Sequence, residues 1–315
     1  MSAHTPQRQR GAALLAAMLT VALVATFAAG ALWQQWRAVE VEGAQRQRAQ
    51  AQWLLVGALG WARVILREDV RAAQTGDATD HLAEPWAVPL QEARLSTFLA
   101  ALPDGTSTVG DDDALAQQVY LSGQISDLQG RLNVTNLLQG TQVDAAHYLA
   151  FARLFSALGL PPQQLDALVQ GLQAAQGQGS DAPLMPQRVG QLTWLGLSAA
   201  TLQALRPHIT VLPMRTTVNV NTASQQVLYA TVPGLSMSDA QRLVQQRERQ
   251  HWINLDAFQK SVGRTVPSTN LSVDTHFFEV WGQLRMPNMT VQERSVLQRN
   301  QLDLKVLWRE SGSLQ

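Results

Sequence analysis

No cysteine occurs anywhere in the chain, so disulfides, thiolate metal sites and cysteine nucleophiles are excluded and packing must supply the stability. Charge is sparse as well: 15% of residues are charged, and Lys+Arg and Asp+Glu balance at 24 each. That balance argues against a domain built to hold polyphosphate, which carries a basic excess. Lysine is almost missing, with Lys260 and Lys305 the two present, so the positive charge is nearly all arginine. The six histidines (His4, His81, His147, His208, His251 and His276) are scattered, without an HxxxH or HExxH pair. There is no G-x-S-x-G elbow, and no motif joins a nucleophile to a base. His276 sits in an alternating, strand-like stretch and reads as a partly buried side chain, not a catalytic one. These absences together predict a protein that is not an enzyme.

What the chain has is apolar bulk: 46% of its 315 residues are hydrophobic, enough for one large domain or two modest ones with real cores. The most distinctive piece is Ala12 to Leu32, 21 residues without a charge. As a helix it is about 31 Å long, the thickness of a bilayer's hydrocarbon core. Arg8 and Arg10 precede it and Trp33 and Trp36 follow it. The basic end therefore stays cytoplasmic, the tryptophans lie at the interface and the rest lies outside the cytoplasm. Ala29-Gly30-Ala31 offers an alternative, the small-x-small pattern of an ordinary signal cleavage site. Against it, the helical pattern continues: no proline occurs from Val39 to Arg67, and Leu55, Leu59, Ala62 and Leu66 recur at helical spacing. One helix of roughly 50 residues is expected, half in lipid and half under a soluble domain.

Beyond it, "GDATDHLAEPWAVPL" (76–90) reads as a loop broken by Pro85 and Pro89, and "GTSTVGDDD" (105–113) as an exposed turn. "VYLSGQISDLQGRLNVTNL" (119–137) reads as a strand, a Gln129-Gly130 turn and a second strand. Two amphipathic helices follow ("DAAHYLAFARLFSALGL" and "PQQLDALVQGLQAAQ"), then a flexible "GQGSDAP" link and a further helical part to about Phe258. The end returns to strands: "LSVDTHFFEVWGQLRM", "TVQERSVLQRN" and "LDLKVLWRE". Strands, helices and strands again indicate an α+β domain interrupted by an α-helical insertion.

An internal echo lies inside that insertion. Gly196-Leu197-Ser198 with Leu202 and Leu205 matches Gly234-Leu235-Ser236 with Ala240 and Leu243 at the same offsets. Each unit reads as helix, short hairpin, helix. Ser236 caps the second helix, with Asp239 adding favourable charge, and Asn221 or Thr222 caps the helix before it. Helix-hairpin-helix units often bind DNA through hairpin N–H groups and a helix N-terminus, and this one looks like the modules of competence proteins. Yet Ser236 stands where such modules have a second glycine, and Arg242, Arg247 and Arg249 are offset by Asp239 and Glu248. Since affinity for nucleic acid rests on neutralised phosphates, a packing unit is favoured and no nucleic-acid partner is expected. Asp111-Asp112-Asp113 could meet a hard cation such as Ca²⁺, but three consecutive acids point to different sides, as in a solvated turn.

A basic leader, a glycine and an apolar helix starting at the next residue resemble the prepilin class, which a prepilin peptidase cuts on the cytoplasmic side. That resemblance implies cleavage between Gly11 and Ala12, N-methylation of Ala12 and retention of the apolar stretch. The fifth mature position, usually glutamate, is Ala16. Taken with "EPWA" (84–87), "ISDLQGRLNVTNL" (125–137), "VNVNTASQQVLYATVPGLS" (218–236) and "HFFEVWG" (276–282), the chain resembles the type II secretion system protein K family, the large minor pseudopilins. The resemblance implies an α+β pseudopilin fold, a long N-terminal helix plus an antiparallel sheet, with a large inserted α-helical domain. The corresponding segments are a leader at 1–11, a transmembrane segment at 12–32, the periplasmic helix at 33–70, pseudopilin parts at 71–136 and 259–315, and the insertion at 137–258.

The family's role implies minor pseudopilins I and J, and other pseudopilins, as partners in a tip complex at the bacterial inner membrane, with most of the chain periplasmic. It supplies a reason for Ala16 too: a lone carboxylate in lipid costs at least ~2.5–3.5 kcal/mol. A tip subunit has no earlier subunit's ammonium to pair with it. Some members bind calcium, but the corresponding stretch here, "LDALVQGLQAAQGQGSDAP", holds only Asp166 and Asp181 as acids, so little of such a site's character is left.

Overall fold

The computed structural model describes residues 9–74, 76–100, 118–177, 182–266, 268–287 and 289–312. Its first element is one helix, α1 (Gln9–Ala73), 65 residues long and so longer than the roughly 50 expected. The chain divides into two units, one ending at Leu54 and one beginning at Leu55. In the first, the apolar side chains from Leu14 to Leu32 lie open, Leu15 and Phe27 among them. Among the described residues this is the one helix long and apolar enough to cross a membrane.

The second unit is built on a five-stranded sheet. Its strands are β1 (Leu90–Arg94), followed by the short helix α2 (Leu95–Ala100), β2 (Tyr120–Asp127), β9 (Phe277–Met286), β10 (Met289–Asn300) and β11 (Asp303–Gly312). The order is β1-β2-β9-β10-β11 with every pair antiparallel. The alternation of a strand sends neighbours to opposite faces, and here it is used fully. Phe278 and Leu297 face Leu59, Ala62 and Leu66 of α1. Phe277 and Val296, one residue away on each strand, pack with Leu128 and Leu212 on the other face.

Between β2 and β9 the chain builds a helical domain. It holds β3 (Leu132–Asn133), β4 (Leu138–Gln139), β5 (Gln142–Val143), α3 (Ala145–Ala157), α4 (Pro162–Ala175), α5 (Ala199–Leu205), β6 (Ile209–Thr210), β7 (Val218–Asn219), α6 (Gln225–Thr231), α7 (Met237–Arg249), α8 (Leu255–Val262) and β8 (Leu271–Ser272). One core runs through it, with Phe151, Leu168, Leu205, Leu228, Leu243 and Phe258 fully buried. The expected fold class, a long helix, an antiparallel sheet and an inserted helical domain, is what the chain forms.

The echo is real in three dimensions. Gly196 (φ 96°) and Gly234 (φ 72°) both take the left-handed conformation that favours glycine. Ser198 accepts from Thr201 N and Ser236 from Asp239 N, each opening a helix. The segment before the first hairpin, Val189–Leu195, is a 3-10 helix instead of an α-helix.

Three local expectations are corrected. Residues 119–137 do not form a hairpin: β3 leaves β2 and pairs in parallel with β6. The turn at Gln129 redirects the chain into the helical domain, where Leu132, Val134 and Leu137 are buried. A Cβ on Gly130 would come within 2.8 Å of Thr222 Oγ1, so glycine lets the two segments touch. The cap of α6 is Ser224, because Asn221 and Thr222 are committed elsewhere: Asn221 brackets Trp252 and Thr222 bonds Asp127. His276 precedes β9 and is exposed, not partly buried.

Candidate functional site

The end of α1, the loop after it, the sheet and the helical domain meet at one buried polar junction. The last turns of α1 deliver Asp69, the following loop Asp80 and Glu84, and the end of β2 Asp127. Thr275 comes from just before β9, Arg299 from the end of β10, and Asn219 from β7 of the helical domain. Arg299 organises it. The guanidinium bonds Asp69 Oδ2 at 2.6 Å, Asp80 Oδ2 at 2.7 Å and the Thr275 carbonyl at 2.9 Å, and it lies 4.6 Å from the centre of the Phe278 ring. Asp80 also accepts from Thr275 N at 2.7 Å. Asn219 Nδ2 ties the two halves, donating to the Asp80 carbonyl and to Asp127 Oδ2, both at 3.0 Å. Asp127 is saturated by Gln129 N, Thr275 Oγ1, Thr222 Oγ1 and Asn219 Nδ2.

Burial sets the protonation here. It lifts the Asp80 carboxyl to about 7 despite Arg299, and it pushes Asp127 up against its four donors. Glu84 goes further, to about 8. Burial is the main cause, and a hydrogen bond and like charge from Asp69 add to it against the N–H groups of His81 and Trp86. Glu84 thus keeps a proton at neutral pH, with Asp69 as its side-chain hydrogen-bond partner. Its Oε2 accepts from Trp86 Nε1 and from His81 N, both at 2.7 Å. Trp86 is fully buried and meets Phe278 edge-on at 5.2 Å.

All four segments that carry the resemblance beyond the N-terminal stretch contribute here: Glu84 and Trp86 from "EPWA", Asp127 from "ISDLQG", Asn219 and Thr222 from "VNVNT", and Phe278 from "HFFEVWG". Their chemistry is that of a joint. Carboxyls and a paired guanidinium hold three structural parts in one arrangement, and the hydroxyls of Thr222 and Thr275 are both committed to Asp127. Elsewhere Ser224 Oγ lies 3.1 Å from His208 Nδ1. That hydroxyl already caps α6, and burial and the charge of Arg131 hold His208 below the usual histidine range. Among the described residues no carboxylate is hydrogen-bonded to His208.

The residues singled out from sequence fall in separate places. Gly11, Ala12 and Ala16 lie near the start of α1, and Ala12 and Ala16 are exposed. Asp166 on α4 is exposed and accepts the Tyr148 hydroxyl. Asp111, Asp112, Asp113 and Asp181 lie outside the described residues. Asp166 does not fit a calcium site as it stands. Among the described residues, the groupings that bring three metal-competent side chains together are Asp69, Asp80 and Glu84, and Asp77, His81 and His251. The first is filled by Arg299. In the second, His251 Nε2 meets Asp77 Oδ2 at 2.5 Å, and the rings of His81 and His251 stack 3.6 Å apart at 13°. Burial, then the neighbouring His251, lowers the pKa of His81. Burial pushes Asp77 up, but bonds from His251 and Thr79 outweigh it and hold Asp77 low. Sequence reasoning missed both groups. The available signal was the density of acids and a histidine in "DATDHLAE", read only as a loop.

The arginines of the second helix-hairpin-helix unit are turned to internal use. Arg247 donates to the carbonyls of Val220 and Ala223 from a site where burial lowers its pKa to about 10, and Arg242 pairs with Asp239. That arrangement suits packing more than phosphate binding.

Comparison with known proteins agrees with the geometry. Two profiles of the family described as type II secretion system (T2SS), protein K match residues 130–214 and 218–274. The chain is similar to type II secretion system protein K of Pseudomonas aeruginosa PAO1, 27% identical across 96% of this chain and 93% of the relative. It is also similar to the Klebsiella pneumoniae protein, 28% identical across 97% of each. Among solved structures, it resembles a chain of the GspK-GspI-GspJ complex from the enterotoxigenic Escherichia coli type 2 secretion system. The TM-score is 0.63 at 20% identity, covering 86% of this chain and 99% of that one.

Proposed function

We propose that the chain is a member of the type II secretion system protein K family, which the matches over 130–214 and 218–274 and the relatives along nearly its whole length support, and that it is a non-enzymatic minor pseudopilin. In this reading it caps the tip of the periplasmic pseudopilus and supports export of folded proteins across the outer membrane. A prepilin peptidase cuts between Gly11 and Ala12, Ala12 is N-methylated, and residues 12–32 serve first as a membrane span and then as an assembly helix. Arg8 and Arg10 keep the N-terminus cytoplasmic, with 33–70 continuing the helix in the periplasm. The pseudopilin parts flank the helical domain between β2 and β9, which extends beyond the 137–258 expected from sequence on both sides. The partners are minor pseudopilins I and J, in keeping with the make-up of the similar solved complex, together with other pseudopilins below them.

The observation that carries the reading is Ala16 on a helix whose apolar side chains lie open from Leu14 to Leu32. Such a helix needs lipid or other apolar helices around it. Without a carboxylate it has nothing to offer the ammonium of an earlier subunit, which suits the first position in a fibre. Mass spectrometry of the mature N-terminus and co-purification with proteins I and J test this. A chain starting at Ala12 with one added methyl group, in a complex with both partners, is expected. A start near Leu32, or no complex at high concentration, overturns it.

A further inference from the structure

The side chains of Asp77, His81 and His251 are used neither by the polar junction nor by the proposed assembly role. Two imidazoles and one carboxylate are brought together by the fold from the loop after α1 and the loop between α7 and α8. One ligand atom from each lies within 4.8 Å of the others. We propose that these three side chains form a site for a borderline divalent transition-metal ion of the zinc type, which pins the loop after α1 to the helical domain.

The donor set selects the ion. Two nitrogens and one carboxylate oxygen suit zinc and its neighbours, whereas calcium takes six to eight oxygens. The carboxylate is already oriented: Asp77 Oδ1 accepts from Thr79 N at 3.0 Å and Thr79 Oγ1 at 2.8 Å, which leaves Oδ2 toward the imidazoles. Such outer contacts fix a metal ligand's direction. Asp77 is exposed and both histidines are half-buried, so an ion has a path in and water can complete the coordination.

As they stand, the stacked rings do not both address one ion. A metal takes the in-plane lone pair of an imidazole, and two nearly parallel rings cannot both aim such pairs at one ion. Binding therefore turns one ring. His81 is the freer of the two, since Nδ1 receives only a 3.3 Å contact from Ala83 N–H. His251 already points Nε2 at Asp77.

The test uses the full, tag-free chain in detergent micelles, with zinc alone as probe and a competing chromophoric chelator. One zinc per chain is expected, undisturbed by millimolar calcium. His81→Gln and His251→Gln should each weaken it more than tenfold, Thr79→Val by roughly tenfold or more, and His276→Gln not at all. Melting of each metal-free variant checks its fold. Should either histidine variant fail to fold, wild-type imidazole NMR decides, because zinc must then shift the C2 protons of His81 and His251 ahead of the other four. Equal affinity in folded His81→Gln and His251→Gln, a first response at other histidines, or no saturation by millimolar zinc overturns the site.

Discussion

Glu84 holds its proton to about 8 and Asp80 to about 7, against ordinary values of 4.5 and 3.8. Both pKa values are raised on folding, so the native chain holds protons that the unfolded chain has lost. The stability this brings is full below about pH 4 and falls as pH rises through 7 and 8. Lowered groups such as Asp77 and His81 act in other senses, so the difference between wild type and Glu84→Gln isolates the effect. The amide keeps an acceptor for Trp86 and a donor for Asp69. The stability advantage of wild type over Glu84→Gln should shrink from pH 5 to pH 8 and level off above pH 9, read from urea midpoints. A difference that is flat or rises with pH refutes a proton on Glu84. Arg299→Met is the harsher change, since it leaves the half-buried Asp69 and the buried Asp80 without their cation. A loss of about 3–5 kcal/mol is expected by equilibrium unfolding, and a loss under 1 kcal/mol would show that the junction is not held by this ion pair.

The two hairpin units differ in what precedes them but share one device, a left-handed glycine followed two residues later by a serine cap. Ser236→Ala should cost about 1 kcal/mol. Gly234→Ala should cost roughly 1–2 kcal/mol for the left-handed backbone, besides displacing Arg264, whose Nη1 lies 2.6 Å from the added Cβ. Equal stability of both variants, by thermal or urea unfolding, would count against these caps. This device was legible in the sequence because it is local: offsets of a few residues carry it. The buried stripe Leu55, Leu59, Ala62 and Leu66 was legible for the same reason, through its helical period. The supposed hairpin at 119–137 was not, because β3 finds its partner in Ile209–Thr210, far along the chain, and alternation alone cannot say which strand lies opposite. The junction was half legible. "EPWA" stood out, but Asp69 and Arg299 are 230 residues apart, and nothing in either neighbourhood announces the other.

At the scale of the whole molecule, one missing carboxylate makes the proposed tip placement testable. Within a fibre of apolar helices, a carboxylate at the fifth mature position is useful only where an earlier subunit's ammonium lies opposite it. Alone in lipid it costs at least ~2.5–3.5 kcal/mol, or takes up a proton. If this chain caps the tip, Ala16→Glu introduces that cost with nothing to offset it, while the unit from Leu55 onward stays folded. Cleavage between Gly11 and Ala12 should then proceed as before. Recovery of a complex with minor pseudopilins I and J from membranes should fall severalfold, and secretion of a type II substrate with it. A subunit buried along the shaft predicts the opposite, because there the new glutamate acquires a partner and recovery holds or rises. Quantifying the three proteins in pull-downs from membranes carrying the wild-type chain or the Ala16→Glu variant separates the two placements, and undiminished recovery would remove this chain from the tip.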